Sequence, residues 1–254
     1  MKFFANFSML KSGTHLLRFI LQEITSLEYY EPQIITGKNN YEDQTKFKVV
    51  KNKFFSWHLF PYQATCKLLS DNKFKSICLV RNIFDQTFSL YNHFKFDVDH
   101  EIGRGRGVKP IFDALSRSQG INLLIDGQEK AAFPWKGSVH QIAHLKTLYE
   151  TQRYTDNLFL TYEELTSKKH QTILKIANFL NVDLEPHFIQ EIIQNTSFEE
   201  MKKSQNNKSH FVEGKNSKSL EILDESHLYK IDEQVKNYFS ELKLILSDNG
   251  YGYL

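Results

Sequence analysis

The stretch "MLKSGTHLLRFI", residues 9–20, decides the fold. It sets Lys11, Ser12, Gly13 and Thr14 between an apolar run over residues 2–8, which reads as a strand, and a segment over 14–28, which reads as a helix. In that segment Leu16, Leu17, Ile20 and Leu21 recur at helical spacing. A polar turn from strand into helix brings backbone N–H groups together at the positive end of the helix dipole. The groups around Ser12 to His15, with the Lys11 ammonium beside them, therefore suit a phosphate-like anion. This is not the GxxxxGK[ST] loop of nucleoside triphosphatases, because the lysine precedes the glycine. The same four residues also fit an ordinary helix start in which Ser12 or Thr14 serves only as the cap.

Outward from this turn, short apolar runs alternate with amphipathic segments. "NKFFSWHLF" (52–60) reads as a strand closed by Pro61, followed by a short helix over 62–70. "FKSICLVR" (74–81) reads as a buried strand, with a helix from about 83 to 95 after it, and "DNLFLTY" (156–162) as a further strand. Strands separated by helical patterns predict βαβ units and a parallel sheet, whose ligands bind at the carboxyl ends of the strands. Beyond residue 165 the chain reads as helical. Ile173, Ile176, Ala177 and Leu180 share one face, Asn181 is the stop, residues 203–219 are a loop, and a last helix spans about 224–247.

The bulk composition narrows the function. A chain of 254 residues, 41% hydrophobic, predicts one domain over 1–254. Its 32 basic and 30 acidic residues leave a net charge of +2, too little for a protein that coats nucleic acid, so any anion site must be local. No apolar run is long enough to cross a membrane, and the N-terminus lacks the features of a signal peptide. Cys66 and Cys78 lie in apolar surroundings without a CxxC or histidine partner, which predicts buried thiols, a cytoplasmic setting and no metal site.

"LVRNIFDQTFSLYNHF" (79–94) holds a second anion candidate. Arg81 ends a buried strand, where a guanidinium needs a counter-charge. Ser89, eight residues on, faces the same space if the helix starts soon after Arg81. The alternative is a surface pair of Arg81 with Asp85.

Four motifs now stand in order: KSGT after the first strand, "RNIFDQTFS" at 81–89, "TYEEL" at 161–165 and "TSFEEMKK" at 196–203. In this order and spacing the chain resembles the cytosolic-type sulfotransferases, which use 3′-phosphoadenosine 5′-phosphosulfate (PAPS) and release 3′-phosphoadenosine 5′-phosphate (PAP). The resemblance implies an α/β, P-loop-like three-layer fold with a central, mostly parallel sheet flanked by helices and a helical C-terminal part. It implies transfer of a sulfuryl group from PAPS to a hydroxyl or amine of a small-molecule acceptor, with no metal. Carried over residue by residue, Lys11 stabilises the leaving phosphate, and Ser12, Gly13, Thr14 and His15 hold the rest of the phosphosulfate. Arg81 and Ser89 grip the 3′-phosphate, Tyr162 approaches the adenine end, and Thr196 and Phe198 line the base. The "SWHLFP" segment matches the family's catalytic K-T-H-L-P at His58, the implied general base.

Departures from the family pattern are specific. Leu16 stands in place of a tryptophan, Ser56 in place of the lysine before the catalytic histidine, and Val212, Glu213 and Gly214 in place of R-K-G. Glu213 is expected to turn outward, with Gly214, Lys215 or Lys208 completing the 3′-phosphate site; the alternative is that PAPS binding is weakened there. Between Ser89 and Tyr162 the chain runs longer than is usual for the family, and residues from about 97 to 140 read as a loop or helical lid over the acceptor pocket. A P-loop-type kinase, or a PAP-binding relic without catalysis, are the alternative readings.

Overall fold

In the computed structural model, residues 4–30, 51–57, 71, 74–96, 108–127, 137, 156–204 and 219–238 are described. The chain divides into two compact units, Met1–Val80 with His144–Ser197 and Arg81–Ala143 with Phe198–Leu254.

The first unit carries the sheet. Its strands are β1 (Phe4–Ser8), β2 (Glu28–Tyr30), β3 (Lys53–Trp57), β4 (Lys75–Val80) and β5 (Asp156–Thr161). They are all parallel, in the order β2-β3-β1-β4-β5. Sequential order thus reverses beside β1, the first strand, and the crevice at such a switch point is where open α/β sheets bind ligands. β4 pairs on both edges, and its residues from Ser76 to Val80 are buried without alternation, as a strand covered on both faces must be. Cys78 is one of them, its thiol donating to Asn157 Oδ1 at 3.2 Å.

Helices α1 (Thr14–Thr25), α5 (Tyr162–Ser167), α6 (Lys169–Leu180) and α7 (Pro186–Asn195) complete this unit. The apolar stripe expected on 168–181 is the one that is buried: Ile173, Ile176, Ala177 and Leu180 join Leu17, Ile20 and Leu21 of α1 and Phe54, Ile77 and Leu79 of the sheet in one core. Asn181 ends α6 in the left-handed conformation, as expected of a C-terminal stop. Two boundaries differ from the sequence reading for a local reason, while β3 starts one residue later and β4 is one residue shorter at each end. α1 stops at Thr25 rather than 28, because Ser26 turns left-handed and its N–H bonds to Gln22 O, which frees Glu28–Tyr30 to pair with β3. β5 stops at Thr161 rather than 162, because a capping box turns the chain into α5 there.

The second unit contains α2 (Ile83–Phe96), α3 (Val108–Asp113), α4 (Arg117–Asp126), α8 (Phe198–Ser204), α9 (Ser219–Ile222) and α10 (Glu225–Tyr238). Its buried residues include Leu90, Ile121, Leu124 and Ile231, with Phe94 stacked on Phe112 at 5.5 Å between ring centres. Buried His227 clasps α10 to α4. Its backbone N–H donates to Asp224 Oδ1 at 3.0 Å, and its Nε2 lies 3.0 Å from Asn122 Nδ2 and 3.1 Å from Ser118 Oγ. α3 and α4 form part of the expected 97–140 insertion. The helix expected over 62–70 lies outside the described residues; of the loop expected over 203–219, Lys203 and Ser204 instead belong to α8 and Ser219 opens α9, and residues 205–218 lie outside the described residues.

Candidate functional site

The turn after β1 is tight and strained. Met9 N–H donates to Leu79 O at 3.3 Å, continuing the β1–β4 ladder, and Ser12 N–H closes back on Met9 O at 3.2 Å. The turn leaves Lys11 at φ 62° and Gly13 at φ 93°, both in the left-handed region. A non-glycine residue held there costs about 1–2 kcal/mol, and such strain gathers at ligand clamps. Leu17 N–H donates to Gly13 O at 3.1 Å, so the helix starts at Thr14.

What this turn does with its hydroxyls decides between cap and cradle. Gly13 is the N-cap and has no side chain, so no side-chain cap bond is made. Thr14 Oγ1 is instead paired with Ser8 Oγ at 2.6 Å. Ser12 is fully buried, and its Oγ has no hydrogen-bond partner among the described residues. Neither hydroxyl caps α1, so the ordinary helix-start reading does not hold. The first-turn N–H groups of α1 lack a capping side chain beside an unbonded buried hydroxyl and the Lys11 side chain. Such a set fits an oxyanion. His15 lies in the same first turn, half-buried.

Tyr162 belongs to this turn in space. The Thr161 Oγ1 accepts from Glu164 N–H, and Glu164 Oε2 accepts from Thr161 N–H, both at 3.0 Å, which fixes the first residue of α5. The Tyr162 ring packs on Gly13 so closely that a Cβ there would stand 2.4 Å from Cδ2. Gly13 is therefore required twice, by its φ and by the ring.

Thr196 is buried at the C-cap of α7, its Oγ1 donating to Ile192 O at 2.5 Å. Lys169, the first residue of α6, donates from Nζ to Thr196 O at 2.5 Å and reaches Ile193 O at 3.4 Å. Burial pushes the Lys169 ammonium down to about 8. Nothing in the sequence singled out this lysine, one of two adjacent in a polar stretch.

At the departures, Leu16 is partly buried against the core. Ser56 is fully buried and accepts at Oγ from Arg18 Nε at 2.7 Å and from Asn6 Nδ2 at 3.1 Å. The Arg18 guanidinium lies 4.6 Å from the Tyr29 ring centre.

In the second unit, Asn82 Oδ1 accepts from Phe84 N–H at 2.9 Å and so starts α2 immediately after Arg81. Ser89 lies on that helix, half-buried, one turn beyond Asp85. Asp85 is itself 5% exposed and accepts from Ser219 N–H at 3.1 Å, so it is a buried rather than a surface carboxylate. Phe198 is the first residue of α8, with Lys202 Nζ 6.0 Å from its ring centre. His58, Gly214 and Lys215 lie outside the described residues.

Comparison with known proteins agrees with the sequence motifs. The chain matches the family described as Sulfotransferase domain over residues 7–242, and it belongs to that family. It is 26% identical over 185 residues to mouse Sulfotransferase 1A1, covering 73% of this chain and 55% of that one. It therefore spans about half the length of the curated relatives it matches. Its fold is similar to that of mouse sulfotransferase SULT7A1, solved complexed with PAP, at a TM-score of 0.72 and 19% identity over 98% of this chain and 88% of the other. A retinol dehydratase solved with androsterone and inactive cofactor PAP is similar at a TM-score of 0.65 and 15% identity, over 93% and 80% of the two chains. The expected α/β, P-loop-like fold is the fold found.

Proposed function

We propose that this protein is a PAPS-dependent sulfotransferase that moves a sulfuryl group to a hydroxyl or amine of a small-molecule acceptor in the cytoplasm. The observation that carries the reading is the β1–α1 turn of a chain in this family: among the described residues Ser12 Oγ is buried without a partner, and α1 has no capping side chain. PAPS, when bound, supplies a sulfuryl group on a phosphate leaving group. Lys11 offsets the charge that grows on that phosphate, and the N–H groups and hydroxyls of Ser12, Gly13, Thr14 and His15 hold its oxygens in place. Arg81 and Ser89 hold the 3′-phosphate, with Gly214 and Lys215 of the basic loop. Tyr162, Thr196 and Phe198 form the base end. His58 takes the proton of the acceptor, a task that suits an imidazole titrating near working pH.

Calorimetry with PAP and with ADP, together with transfer from labelled PAPS to alcohols, phenols and amines, tests the proposal. Selective PAP binding with turnover is expected. PAP binding without turnover on any acceptor would make the protein a relic, and preference for ADP would favour a kinase-like chemistry.

A further inference from the structure

Tyr162 and Thr196, the two residues of the first unit assigned to the base end, are joined by a continuous set of contacts. Tyr162, packed on Gly13, opens α5. α5 is tied to α6 because Lys168 N–H donates to Glu164 O at 2.9 Å and Thr172 Oγ1 donates to the same carbonyl at 3.0 Å. From the first residue of α6, Lys169 Nζ then reaches across to the end of α7 and takes the carbonyls of Thr196 and Ile193. Carbonyls at a helix C-terminus lack intrahelical partners, and a cation there also meets the negative end of the helix dipole. Thr196 cannot move independently of α6 while this contact holds.

We propose that Lys169 is a positioning residue for the nucleotide: it fixes the backbone at Thr196 and so sets the base end of the site against the Tyr162-bearing helix. The proposal rests on the reading of Thr196 as a base-lining residue in a PAP site. A lysine at this place has a cost, since it is half-buried and its charged form is disfavoured by desolvation. A carbonyl-capping role alone could be filled by many side chains at the end of a helix. The span from α6 to Thr196, one of the residues assigned to the base end, is what a positioning role requires.

The test compares the intact protein with Lys169→Met, Lys169→Gln and Lys169→Arg. Two ligands are titrated by calorimetry: PAP and the base-free ribose 3,5-bisphosphate. Lys169→Met should weaken PAP by about 2- to 30-fold, the range of contacts that act through a neighbour, and change the base-free ligand less than 2-fold by the same reasoning. Lys169→Arg, which keeps a cationic donor, should restore most of the PAP affinity. In turnover assays the loss should fall on KM for PAPS and leave kcat near the parent value. If the parent itself does not bind PAP, the reading of the site fails, and the positioning role with it. If the parent binds PAP but Lys169→Met binds it equally well, or loses both ligands alike, Lys169 is not a positioning residue and the reading of the site stands. Loss of cooperative melting in both Lys169→Met and Lys169→Gln would make it a folding residue and overturn the proposal.

Discussion

Gly13→Ala puts the turn to its sharpest test. The new methyl would meet two obstacles. The backbone at φ 93° disfavours any side chain, by about 1–2 kcal/mol. The added Cβ would also stand 2.4 Å from Tyr162 Cδ2 and 2.8 Å from Cε2, distances that real Cβ atoms do not show. Tyr162 is only 9% exposed, so the ring must shift against packed neighbours, at about 1–3 kcal/mol, the usual range for overpacking. The combined cost is about 2–5 kcal/mol. Urea unfolding of four proteins separates the two parts: the parent, Gly13→Ala, Tyr162→Ala and the double variant. In the Tyr162→Ala background the ring is gone, and Gly13→Ala should cost only the backbone share. The coupling between the two sites should therefore be about 1–3 kcal/mol. If Gly13→Ala costs the same with and without the ring, the close approach of Tyr162 is not what demands glycine here.

The other expectations concern chemistry and pH. Lys11→Ala should raise the barrier to sulfuryl transfer by about 3 kcal/mol, the usual loss on removing one preorganised donor, while weakening PAP far less; equal losses in single-turnover rate and PAP affinity would contradict its role. Arg81→Ala should weaken PAP by about 1.5–3 kcal/mol and spare adenosine 5′-phosphosulfate, which lacks the 3′-phosphate; parallel loss of both ligands in calorimetry would place the 3′-phosphate elsewhere. His58→Ala should cut turnover on an alcohol acceptor by about 10²- to 10⁴-fold and leave PAP affinity intact, and near-parent activity on that acceptor would pass the base role to another residue, His15 first. Lys169 titrates near 8 in the folded protein against 10.5 for a free lysine. Between those values the unfolded chain binds a proton that the folded chain does not, so this group makes stability rise with pH across that window. Urea midpoints of the parent should therefore gain on those of Lys169→Met from pH 8 to 10.5, and a constant gap between them would mean that the lysine is not desolvated.

The features that could be read from the sequence are those that a single residue type must satisfy locally. Gly13 at a turn into a helix, Asn181 at a helix end and the apolar stripe on α6 are imposed by backbone conformation or by one buried face, and both leave periodic or punctuated traces. β2 left no such trace. It has three residues, and the residue that ends α1 before it is Ser26, left-handed where glycine or asparagine is the usual signal. The start of α5 did leave one: Thr161 followed by Glu164 is a capping-box pattern, which marks Tyr162 as helical rather than as the last strand residue. Lys169 had no local signature at all. Its meaning comes from a carbonyl 27 residues away, and only the packing of α6 beside α7 brings the two together.

Ser56 shows how a departure that is visible in sequence acquires its reason only in three dimensions. By motif it stands where the family pattern has a lysine, before the histidine proposed as the base, which would suggest a weakened site. In the fold its hydroxyl is fully buried and accepts from both Arg18 Nε and Asn6 Nδ2. Arg18 is on α1, two residues after Leu16, and is itself 5% exposed. A lysine at 56 would bring its ammonium against this guanidinium in a place where little water can screen them, and like charges so close and so dry are strongly unfavourable. It would also remove the acceptor that the buried guanidinium uses. A cation at 18 thus requires a neutral acceptor at 56. Ser56 on β3 and Arg18 on α1 are therefore coupled, the positive charge standing on the helix that follows the Lys11–Gly13 turn and its acceptor on the neighbouring strand.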